Sequence, residues 1–174
     1  MSKKLIKEVK LSFENYFKTK PLLIFSPGRI NLIGEHTDYN DGFAFPADIN
    51  KGIVLTISKS DDAKLNKIYA LNKQELYEFQ NENIKPLENG GWRNYALGVV
   101  AELKKTGKDV GTFNTVFAGD IPGGAEMSAS AELENSIIYG LNELFTLGLS
   151  KAEMILISQK AEHNFLNKCM WQQI

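Results

Sequence analysis

A chain of 174 residues with 43% hydrophobic and 24% charged residues has the length for one domain with its own core and the composition of a soluble globular protein. Its net charge of −1 gives no reason to expect nucleic acid or an anionic membrane surface as a partner. One cysteine, Cys169, rules out an internal disulfide and fits a reducing compartment. No apolar run approaches the ~20 residues of a membrane span and Met1–Lys7 lacks a signal-peptide core, so a cytoplasmic location is expected.

Leu5, Val9, Phe13, Tyr16 and Phe17 recur at helical spacing and predict an amphipathic helix from Lys3 to Lys18, packed on the domain edge. Leu22–Ser26 reads as a strand that delivers the polar run Ser26 to Gly42. Gly28 and Gly34 there permit backbone conformations closed to other residues, so a folded loop is expected from Pro27 onward. It gathers Arg29, a planar fork of donors, with the acceptors Glu35 and Asp38 and with His36. Such a toolkit suits a hydroxyl-rich small ligand, and on composition alone it suits a satisfied polar turn equally well.

Phe43–Ile49 and Gly52–Ser58 read as strands, the second rich in β-branched residues; Lys67–Leu71 and Glu75–Phe79 read as two more strands of a meander. Asn81 to Gly91 is irregular. A helix is predicted over Trp92–Lys105 with Gly107 near its C-terminal cap, then a strand over Thr112–Ala118. Helices follow from about Ser130 to Leu144 and from Lys151 to about Phe165, the last opened by a capping box, Ser150 with Glu153. The pattern predicts an α+β class: one domain, a mixed sheet with helices on one side.

Between the last strand and Ser130 lies Gly119-Asp120-Ile121-Pro122-Gly123-Gly124-Ala125-Glu126-Met127-Ser128-Ala129-Ser130. Small residues let a ligand approach the backbone, and free N–H groups at a helix N-terminus attract anions. By spacing alone, an ordinary Ser-capped helix is an equal reading.

The run Gly28-Arg29-Ile30-Asn31-Leu32-Ile33-Gly34-Glu35-His36-Thr37-Asp38-Tyr39 closely resembles the signature of galactokinases, members of the GHMP family of small-molecule kinases. That resemblance implies that Glu35, His36 and Asp38 contact sugar hydroxyls and that Arg29 stabilises charge beside the reacting C1 hydroxyl. It implies galactose or a related sugar as substrate, ATP and Mg²⁺ as cofactors, and the GHMP kinase N-terminal fold, shared with the second domain of a small-subunit ribosomal protein. The second glycine-rich segment resembles the family's Pro-x-Gly-(Gly/Ala)-Gly-Leu-Ser-Ser-Ser-Ala. The phosphate cradle would then be Gly123, Gly124, Ala125, Ser128 and Ser130, with Ser128 also near the metal. Trp92 falls in a Trp-x-Asn-Tyr segment that in galactokinases lies near the adenine pocket; core packing is its other reading. Ala161-Glu162-His163-Asn164-Phe165 resembles the family's Ala-Glu-His/Asn-x-Phe, whose Glu is associated with Mg²⁺. A solvated helix face is the alternative for Glu162.

Three departures bear on activity. Glu126 stands where the family has a glycine, and a carboxylate ~4 Å from a phosphate charge is repelled by roughly 4 kcal/mol at an effective dielectric of about 20. Gln173 takes the position of the family's base, an Asp, and a glutamine cannot accept a proton at neutral pH. The resemblance covers only about the first half of a galactokinase, without the third motif or the C-terminal domain. The expectation is therefore a galactokinase-like chain with little or no kinase activity by itself and an exposed interdomain face that invites self-association. A non-catalytic sugar sensor and a fragment of an interrupted gene are the other readings.

Overall fold

The computed structural model describes residues 3–33, 43, 45–121 and 128–166, with residues 31, 33, 128 and 129 described by their backbone alone. In chain order the elements are α1 (Lys3–Phe17), β1 (Leu22–Ile33), β2 (Phe45–Lys59), β3 (Asn66–Ala70), β4 (Glu75–Phe79), α2 (Trp92–Lys105), β5 (Phe113–Gly119), α3 (Ser128–Phe145) and α4 (Lys151–Leu166). The strands form one sheet in the order β1-β2-β5-β3-β4. All pairs are antiparallel except β3 with β5, so the sheet is mixed as expected. It is not a meander, because β5 comes late in the chain and slots between β2 and β3.

Strand residues alternate between two covered faces. Leu55 and Ile57 of β2, Ile68 of β3 and Phe113 and Phe117 of β5 join the core built with α2, α3 and α4. Their neighbours Val54, Tyr69, Val116 and Ala118 face the other way and pack on Val9 and Phe13 of α1. The expectation of helices on one side therefore holds for α2–α4 and fails for α1, which covers the opposite face rather than an edge. The reason is in β2 itself. Every residue from Gly52 to Ser58 is buried, a pattern that requires cover on both faces.

The second correction concerns β1. It does not stop at Ser26 but runs through Pro27 and Arg29 to Ile33, paired with the first half of β2. Proline is tolerated because β1 is an edge strand. Pro27 faces Gly52, whose own N–H and carbonyl point the other way, toward Asp120, so the missing proline N–H breaks no bond of the pair. Register shifts at Pro27/Arg29 and Asn31/Ile33 absorb the irregularity. Gly52 is obligatory here: a Cβ would stand 2.2 Å from the Ser26 carbonyl oxygen.

Helix ends behave as the sequence implies. Gly107 adopts φ +77° just past α2 and donates to the Lys104 carbonyl at 3.0 Å. The Ser150 N–H donates to Glu153 Oε2 at 2.8 Å and the Glu153 N–H to Ser150 Oγ at 3.3 Å, the reciprocal capping box. Gly98 lets α4 approach α2, since a Cβ there would lie 3.1 Å from the Ala161 Cβ.

Candidate active site

Glu35, His36, Asp38, Gly123, Gly124, Ala125 and Gln173 lie outside the described residues, and of Ser128 only the backbone is described, at the first position of α3. What the structure does define is the frame that carries these segments, together with Arg29, Trp92, Ser130 and Glu162.

Three cross-element approaches bring that frame together. Gly28 of β1 lies against Ile121, just past β5; a Cβ there would sit 3.4 Å from the Ile121 Cδ1. Arg29, the next residue, is exposed and acts electrostatically on Glu132 of α3. Ser130 of α3 donates from Oγ to Glu162 Oε1 of α4 at 3.4 Å. Thus Arg29, Ser130 and Glu162, far apart in sequence, sit on elements that converge where the two glycine-rich segments begin and end. Glu162 is no solvated bystander: it is half-buried and turned toward the start of α3.

Sequence reasoning missed two acids in this region. Glu132 and Glu134 are 3% and 1% exposed. Glu132 Oε2 and Glu134 Oε1 have no hydrogen-bond partner among the described residues. Burial raises the Glu132 carboxyl above its ordinary value, and the Arg29 charge opposes the rise. Burial also pushes Glu134 up to about 8; the nearby Glu162 charge adds to this, and a hydrogen bond from Ser158 works against it. A signal for Glu134 was present, because it precedes Ile137, Ile138 and Leu141 at helical spacing on an apolar stripe.

Trp92 stands in the core. It is 9% exposed, meets Phe117 and Tyr77 edge-on with centroids 5.3 and 6.3 Å apart, and donates from Nε1 to Glu75 Oε2 at 3.1 Å. Arg93 also bonds Glu75 and lies over the Tyr77 ring at 5.6 Å. Little of the indole is left open to a ligand.

Mg²⁺ in phosphotransfer sites is held by one or two carboxylates together with substrate phosphates, rather than by an all-protein cage. A half-buried carboxylate beside a serine hydroxyl, as at Glu162 and Ser130, fits that donor set.

Residues 11–59 match the galactokinase galactose-binding signature and residues 94–169 match the GHMP kinases N terminal domain. The galactokinase of Clostridium tetani is 42% identical over 143 residues, covering 82% of this chain and 36% of the relative. That of Staphylococcus carnosus is 37% identical over 166 residues, covering 93% and 42%. Over most of its own length the chain is similar to galactokinases. Its fold matches the crystal structure of Lactococcus lactis galactokinase complexed with galactose at a TM-score of 0.82 and 34% identity, covering 90% of this chain and 42% of that one. The chain spans well under half the length of these relatives. No helix among the described residues is long and apolar enough to cross a membrane.

Proposed function

We propose that this chain carries the sugar-binding and phosphate-binding half of a galactokinase-type site, whose reaction is transfer of the ATP γ-phosphoryl group to the C1 hydroxyl of galactose in the cytoplasm. The observation that carries this reading is the convergence of Arg29 on β1, Ser130 on α3 and Glu162 on α4. Arg29 presents its guanidinium beside the reacting hydroxyl and stabilises charge developing there. Glu35, His36 and Asp38 orient the sugar through its other hydroxyls. Gly123, Gly124, Ala125, Ser128 and Ser130 accept the phosphates. Glu162 and Ser128 would hold Mg²⁺, which supplies charge neutralisation on the phosphates when bound. Trp92 backs the nucleotide side of the site. With Glu126 in the phosphate segment and Gln173 at the place of the base, the chain alone has little or no turnover.

Calorimetry with galactose and then with Mg-ATP tests this. Galactose binding that Glu35→Ala and Asp38→Ala each abolish supports the site. Galactose binding with no response to Mg-ATP favours a sugar sensor on the same fold, a reading that Glu126 supports. Binding of neither ligand overturns the proposal, and so does galactose-dependent ADP production at ordinary kinase rates by this chain.

A further inference from the structure

The segment that leads into the proposed phosphate cradle is fastened on both flanks by contacts that the family motifs do not include. β5 ends at Gly119, opposite Ile53. Beyond that point the ladder would leave the Gly52 N–H without an acceptor. Asp120 supplies one: the Gly52 N–H donates to Asp120 Oδ1 at 2.9 Å, and the Asp120 N–H donates back to the Gly52 carbonyl at 3.2 Å. The other carboxylate oxygen, Oδ2, lies 3.6 Å from Lys51 Nζ. On the β3 side, the Gly119 N–H donates to Asn72 Oδ1 at 2.8 Å and Asn72 Nδ2 donates to the Gly119 carbonyl at 3.3 Å.

Gly52 is also the residue that faces Pro27, where β1 enters the sugar signature. Its contact with Ser26 is so close that no Cβ fits. One residue therefore has the start of the sugar segment on one side and the start of the phosphate segment on the other. Catalysis of phosphoryl transfer is largely a matter of holding two substrates in register, and misplacement by about 1 Å costs on the order of 100-fold.

We propose that Asp120 is a positioning residue, which fixes residues 119–121, the base of the proposed phosphate segment, to Gly52 and so sets their distance from β1. The proposal rests on the functional reading above for the identity of the ligands, but not for the contact itself. It acts through the carboxylate's role as hydrogen-bond acceptor for the Gly52 N–H; the Lys51 charge is secondary, since that side chain is nearly half exposed and screened.

The test compares wild type, Asp120→Asn and Asp120→Ala by amide hydrogen exchange and by calorimetry with Mg-ATP and galactose. Asparagine keeps the Oδ1 acceptor and drops the charge, so it is the conservative control. In Asp120→Ala, exchange is expected to rise in residues 119–121 and at Gly52 while α2 stays protected. Mg-ATP affinity falls about fivefold, the equivalent of one hydrogen bond, with galactose affinity unchanged. Asp120→Asn restores both. Unchanged exchange at Gly52 in Asp120→Ala overturns the proposal, as does faster exchange spread through α2 and α4, or an asparagine variant as impaired as alanine. If the wild type binds no nucleotide, the functional reading fails, and the exchange pattern and its rescue still decide the role of Asp120.

Discussion

Ser158 on α4 donates from Oγ to Glu134 Oε2 on α3 at 3.1 Å, and this one hydroxyl faces a carboxyl that is otherwise enclosed. Burial and the Glu162 charge hold Glu134 protonated up to about pH 8, against an ordinary value of 4.5. The folded chain thus keeps a proton that the unfolded chain releases. The contribution is fully present below about pH 4.5 and is lost as pH rises through about 8, at up to about 1.4 kcal/mol per pH unit within that window. Glu134→Gln removes the titration and keeps the Ser158 bond. Urea unfolding across this range is expected to give a falling stability for wild type and a flatter line for the variant. Parallel lines would show that Glu134 is ionised in the fold.

Gly52→Ala is expected to be among the most damaging single changes in the chain. The added methyl meets backbone at 2.2 Å, and backbone cannot rotate away. A loss above about 3 kcal/mol in urea unfolding follows. Gly98→Ala places its methyl 3.1 Å from both the Ala161 Cβ and the Ala161 carbonyl oxygen, a far milder overlap than 2.2 Å, and gains up to about 1 kcal/mol of helix propensity, so it is expected to lose far less.

Trp92→Phe separates packing from ligand contact. The variant loses the bond to Glu75 and leaves a void beside Phe117, a cost of about 1–3 kcal/mol. Nucleotide affinity is expected to stay within about threefold, since so little of the buried indole is open to a ligand. A large fall in nucleotide affinity at unchanged stability would instead make the indole a direct ligand contact.

Ile30 and Leu32 of β1, Phe45 of β2 and Phe43 two residues before it are 48%, 54%, 62% and 98% exposed. Exposed apolar side chains of this size favour association. Ile30→Lys combined with Phe45→Lys is expected to lower light scattering at high protein concentration and to leave the urea midpoint unchanged. Scattering that persists in the double variant would put the association elsewhere.

Much of this was legible in the sequence because the signals were local. The helical period of α2, the Ser150–Glu153 cap and the β-branched run of β2 act over a few residues and formed as read. What escaped was tertiary. The proline and glycine of Pro27–Gly28 argued against a strand, yet an edge position with a glycine opposite accommodates both. No local signal announces that β5 pairs between β2 and β3, or that α1 takes the second face. The candidate site residues could be named from motifs, but their environment could not. Arg29, Ser130 and Glu162 stand on converging elements, whereas the burial of Glu132 and Glu134 depends on α3 being covered by α4 and the sheet.

The placement of β5 also sets an order of events in time. β1 with β2, and β3 with β4, are local ribbons whose partners are near neighbours along the chain, and an isolated two-stranded ribbon is marginal in water. Neither gains a lasting partner until Phe113–Gly119 has been synthesised and inserted between them. The latest of the five described strands to leave the ribosome is thus the one that joins the two halves of the sheet. A nascent chain stopped before Phe113 holds two separate ribbons with nothing to zip them together.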